Sequence, residues 1–152
     1  MQELGENKNK RPVLLTVLCI LTFIGSGVSF LANSFLFFTR DAWIIAMEEG
    51  AFDVLKDTLE IEAIELLLEV DPTYFLIQAL LFAFSVTGAV LMWKLKKAGF
   101  HIYTVAQLLL LIIGKIYIPA LPFPMIPLLI VLTFVTLYAR NLRYMNPVNQ
   151  YE

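Results

Sequence analysis

The chain has 152 residues, enough for one domain, of which 59% are hydrophobic and 16% charged. Soluble domains run to about 45–50% apolar and about 25% charged residues. A mean hydropathy of +0.77 with a net charge of −2 therefore excludes a disordered chain and a basic nucleic-acid-binding domain. One cysteine and one histidine exclude an intrachain disulfide and a cysteine-based metal site. The composition is that of an all-α integral membrane protein in contact with the lipid bilayer.

The N-terminal segment, 1–11, carries Lys8, Lys10 and Arg11, and the next 28 positions, Pro12 to Thr39, hold no charge. A bilayer core needs roughly 20 apolar residues of helix, so a first span is expected over about 13–38. A cleaved signal peptide is the competing reading, but the apolar run continues through Phe35, Phe37 and Phe38, past any such hydrophobic region. Thr16, Cys19, Thr22, Ser26, Ser29 and Asn33 recur every three or four residues along this span, and Gly25 and Ser29 form a small-xxx-small pair. Such residues let helix backbones approach and hydrogen-bond across the contact.

The first loop, Arg40 to Asp71, holds ten of the thirteen acidic residues. It is also rich in Leu, Ile and Val. Glu49, Asp53, Asp57 and Glu60 step by four, four and three, and Glu62, Glu65 and Glu69 continue the stripe, with Phe52, Leu55, Leu59, Ile64 and Leu68 largely on other faces. That is an amphipathic helix over 41–70. Gly50 weakens it, so a short helix at 41–49 and a longer one at 51–70 are expected. Helices that bind lipid headgroups are basic on their polar face. This one is acidic, so its apolar face should pack on protein, either its own bundle or a partner. The stripe reads as a solvated face, or as a recognition face for a basic partner or a divalent cation. No D-x-D-x-D-G calcium loop is present. Asp71 before Pro72 has the form of an N-cap followed by proline in the first helical turn.

The second span, about 73–93, places Gln78, Ser85 and Gly88 on one face. Lys94–Lys97 leaves a tight turn, with Gly99 expected to supply a non-helical conformation. The third span, about 99–118, carries Gln107 and Gly114 on one face, the lone His101 as an interfacial residue, and Lys115 near enough to the far end to snorkel outward. Prolines at 119, 122, 124 and 127 end it and delimit the fourth span, about 122–140, which starts between Leu121 and Pro127. Asn33, Gln78 and Gln107, with Lys115, have two readings. They are packing amides, or they line a polar cavity in which Lys115 contacts an anion.

Topology follows from lysine and arginine alone. The N-terminal segment, the Lys94–Lys97 turn and the C-terminal tail (141–152, with Arg140 at its edge) carry eight of the eleven, and the other loops carry three. Both termini should be cytoplasmic and the acidic segment extracytoplasmic. Trp43, Tyr74 and Tyr117 are expected at the outer membrane edge, and Trp93, Tyr103 and Tyr138 at the inner one.

The run Lys10-Arg11-Pro12-Val13-Leu14-Leu15-Thr16-Val17-Leu18-Cys19 through Gly27 resembles the first span of small uncharacterised bacterial membrane proteins, and Lys96-Lys97-Ala98-Gly99-Phe100-His101-Ile102-Tyr103 is similar to their inner hairpin. The resemblance covers about a fifth of the chain. It implies four spans in a bacterial inner membrane and no activity; no cofactor or metal is expected. Claudin-like and tetraspanin-like proteins share the layout but carry outer-loop cysteines that this chain lacks.

Catalysis needs a nucleophile, a base or a metal cluster; here His101 stands alone, and there is no C-x-x-C, no H-E-x-x-H and no glycine-rich phosphate loop. The expected function is therefore non-enzymatic. The protein would act as an accessory or regulatory subunit whose acidic helix recognises another membrane protein or a second copy. The alternative is a small oligomeric transporter or channel using the polar faces of the first three spans, and a dry, closed bundle would argue against it.

Overall fold

A computed structural model of the chain describes residues 11–51, 61–119 and 123–145. Among the described residues the elements are five α-helices, α1 (Val13–Glu48), α2 (Ile61–Glu69), α3 (Pro72–Trp93), α4 (Ala98–Tyr117) and α5 (Met125–Asn141), the last followed by a 3₁₀ turn, Leu142–Tyr144. Among the described residues four helices are long and apolar enough to cross a membrane: α1, α3, α4 and α5 with its 3₁₀ turn.

The expected separation between a first span ending near residue 38 and a second helix at 41–49 does not occur. Helix α1 runs unbroken for 36 residues, about 54 Å at 1.5 Å per residue. The charges at Arg40 and Asp41 end the apolar run but break no backbone hydrogen bond, and both side chains remain on the helix as a 3.5 Å ion pair. Trp43 Nε1 donates to Thr39 Oγ1 across the same turn at 3.2 Å. The helix stops only at Gly50, whose φ of 75° is left-handed. There the Gly50 N–H donates to the Met47 carbonyl and the Ala51 N–H to the Ala46 carbonyl, each at 3.0 Å. This pair of bonds is a Schellman cap.

Helix α2 packs beside the last turns of α1, with Leu68 and Val70 buried and Glu65 and Glu69 exposed. The remainder of the expected longer helix, including Asp53, Asp57, Leu59 and Glu60 of the stripe and its apolar face, lies outside the described residues. Asp71 caps α3 by accepting from the Thr73 N–H at 2.7 Å, with Pro72 in the first turn.

The turn between α3 and α4 differs from expectation in one residue. Its left-handed position is Leu95, with φ 59°, not Gly99. A second Schellman cap surrounds it, from Leu95 N–H to the Met92 carbonyl and from Lys96 N–H to the Leu91 carbonyl, each at 2.9 Å. The leucine side chain packs on the core, which offsets the cost of the strained backbone. Gly99 lies inside α4 and serves a different need. A Cβ there would collide with the Gly88 carbonyl oxygen, and a Cβ on Gly88 would lie 2.8 Å from the Gly99 carbonyl oxygen. The two glycines let α3 and α4 cross backbone to backbone. Gly25, by contrast, faces open space.

Helix α5 starts at Met125, and Pro127 in its first turn occupies a position whose N–H would have no intrahelical acceptor. The main core lies at the end of the bundle nearest the chain termini, where Leu15, Leu18, Cys19, Met92, Tyr103, Tyr138 and Met145 meet. Tyr103 and Tyr138 belong to this core. They are 3% and 0% exposed, with ring centroids 5.0 Å apart. Trp93 does sit at the bundle end, with Arg11 stacked 4.1 Å above its ring and Phe23 beside it.

Candidate functional site

The polar line on α1 is consumed step by step in packing. The Cys19 thiol approaches the Ala89 carbonyl oxygen at 3.7 Å, Thr22 Oγ1 and the Tyr138 hydroxyl are 2.8 Å apart, and Ser26 and Ser85 hydroxyls are 2.8 Å apart. Gln107 on α4 joins the last pair, its Nε2 donating to Ser85 Oγ at 3.0 Å. One serine of α3 thus ties α1 to α4 in the middle of the bundle.

Beyond this tie, toward the end opposite the termini, α5 stands away from its neighbours and leaves a cavity of about 480 Å³. Ser29, Tyr74, Gln78, Gln107, Gly114 and Lys115 line one part, and Phe82, Leu110, Leu111, Ile130 and Val131 supply apolar wall. Pro124 and Pro127 close on it from the start of α5. Gln78 is 7% exposed. Its Nε2 donates to the Tyr74 hydroxyl at 3.0 Å, and the Tyr74 ring lies against Tyr117 at a 42° tilt with centroids 5.4 Å apart. Lys115 Nζ donates to the Pro119 carbonyl at 2.8 Å, and its charge lies in the last turn of α4, where the helix dipole favours a cation.

The structure brings Gln78, Gln107 and Lys115 to one cavity and leaves Asn33 out. Asn33 Nδ2 bonds the Ser29 carbonyl one turn back on its own helix, at 2.8 Å. Ser29 and Tyr74 take its place, and sequence reasoning missed both. Ser29 lies on the polar line of α1 and was available to it. Tyr74 reads as a membrane-edge marker, and only its position four residues before Gln78 points to the hydrogen bond.

A second feature lies at the same end. Helix α1 runs on past its charge-free stretch, and the eight residues from Asp41 to Glu48 add about 12 Å of helix. Helix α2 lies along this extension, and Arg40, Ile44, Met47, Glu48, Glu65, Leu68 and Glu69 line the groove between them. Glu49 is exposed at the tip, and of Glu62 only the backbone is described. The Thr73 hydroxyl and backbone N–H hold the Asp71 carboxyl below the usual carboxylate range, and Arg40 adds to the effect. Comparison with known protein families, curated proteins and solved structures finds no match to this chain.

Proposed function

We propose that the protein is a non-enzymatic multi-pass protein of the bacterial inner membrane that acts as an accessory or regulatory subunit. Both termini are cytoplasmic, and the recognition element is the acidic tip built from the extension of α1 and from α2. The observation that carries this reading is the unbroken helix from Val13 to Glu48. A rigid helix that runs on past its charge-free stretch and carries a second helix on its flank holds Glu48, Glu65 and Glu69 in fixed relation. A solvated acidic loop needs no such support. Fixed carboxylates suit a basic surface on another membrane protein or on a second copy of the chain, because complementary charge steers encounter and sets register. Co-purification from native membrane in mild detergent tests it. The native chain should retain a partner that the triple variant Glu48→Gln, Glu65→Gln, Glu69→Gln loses. An unchanged set of partners would contradict it.

A small oligomeric transporter or channel is the second reading, and the side cavity supports it. Solute flux into vesicles holding the purified protein alone distinguishes the two. Flux that survives the triple substitution would favour transport.

A further inference from the structure

The cavity between α3, α4 and α5 divides its chemistry unequally. Its polar groups are uncharged, apart from Lys115 at the exposed end, and its opposite wall is hydrocarbon. Gln78 and Gln107 each spend the amide nitrogen on a neighbour within the bundle. Neither carbonyl oxygen has a protein partner among the described residues. Gln78 is nevertheless more than nine-tenths buried. Neither oxygen is among the buried atoms left without a partner, which are Arg40 Nε and Thr104 Oγ1, so both stay accessible as acceptors, and at membrane depth lipid chains offer them no donor. Pockets that bind small molecules have this make-up of apolar walls with a few convergent polar groups, at volumes of about 300–1,000 Å³.

We infer that this cavity binds one uncharged amphiphile with a hydroxylated head, of the monoacylglycerol type. The head hydroxyls donate to the carbonyl oxygens of Gln78 and Gln107. The acyl chain lies against Leu110, Leu111, Ile130 and Val131. A hydroxyl both donates and accepts, so it satisfies the amides in either orientation. A carboxylate head would meet two carbonyl oxygens without a donor of its own.

Gly114 lines the cavity, and a Cβ there meets no atom within 4 Å. A phenylalanine at that position starts in open space and puts its ring on the cavity side of α4. Gly25 is equally open but lies outside the cavity, so Gly25→Phe is the matched control. Native mass spectrometry of the full chain, released from detergent after incubation with monoolein, methyl oleate or oleate, reads the outcome. One monoolein per chain should be retained by the native protein and by Gly25→Phe. Gly114→Phe should retain at least tenfold less, and Gln78→Leu should lose most of the preference for monoolein over methyl oleate. Equal retention by Gly114→Phe and the native chain would overturn the site. Stronger retention of oleate than of monoolein would overturn the head chemistry, and failure to retain any of the three would overturn both.

Discussion

Gly88 and Gly99 show how much one hydrogen atom decides in this bundle. Each occupies the space where the other's helix backbone passes, so a methyl at either position forces α3 and α4 apart. Overpacking of this kind costs about 1–3 kcal/mol. Gly88→Ala and Gly99→Ala should both lower the thermal unfolding midpoint in detergent. Gly25→Ala, in open space, should leave it unchanged or raise it, since alanine is about 1 kcal/mol the better helix former. Equal effects at all three positions would contradict the crossing. Gly88 is recognisable in the sequence as part of a small-residue face, but its partner Gly99 reads as a turn residue. The sequence carries no mark of which residue in Lys94–Gly99 takes the left-handed conformation, because Leu95 is held there by packing rather than by propensity. Asp71 gives the residue scale its pH dependence. Its folded carboxyl is held below the ordinary value, chiefly by Thr73, so the folded state prefers the ionised form. That preference stabilises above the unfolded pKa of about 3.9 and disappears as pH falls through the lower folded value. The unfolding midpoint of the native chain should respond to this group only below about pH 4. In Asp71→Ser, which keeps a cap without a charge, that part of the acid response should vanish. An identical acid response in both proteins would contradict the assignment.

At the scale of elements, the four apolar helices are legible because a charge-free run of about 20 residues is long enough to cross the hydrocarbon core and too apolar for a solvated surface. Helix ends are less so, and α1 shows why. The edge of an apolar run is a property of side chains, whereas the end of a helix is a property of the backbone. Arg40 and Asp41 supply the first, and only Gly50 supplies the second. The cavity has the same character. Gln78 and Gln107 are marked by their faces, but whether Asn33 joins them depends on the rotation of α1, and that is set by contacts such as Ser26 with Ser85. The docking of α2 is tested by separating its two faces. Leu68 is 5% exposed, so Leu68→Ala should cost about 2 kcal/mol and raise hydrogen exchange across residues 61–69. Glu65→Gln, on the exposed side, should change stability by less than about 0.5 kcal/mol. A helix that exchanges equally fast in both variants is not seated on α1.

For the whole molecule, the two ends of the bundle differ in kind. The end near the termini is tightly filled, with aromatic rings, the Thr22–Tyr138 hydrogen bond and the Gly88–Gly99 crossing in close succession. The other end is open between α5 and its neighbours and extends into the acidic tip. The proposed recognition role would use the more open end, on the side that the basic residues predict to be outer. The central claim is that α1, α3, α4 and α5 all cross the membrane, with the tip outside and both termini inside. Single cysteines at Glu48→Cys and Glu152→Cys, probed in intact cells with a membrane-impermeant maleimide, test it most directly, because Cys19 is buried. Position 48 should label in intact cells and position 152 only after the membrane is opened. Labelling of both positions from the same side would contradict the four-span arrangement and the assignment of the tip as the outward recognition element.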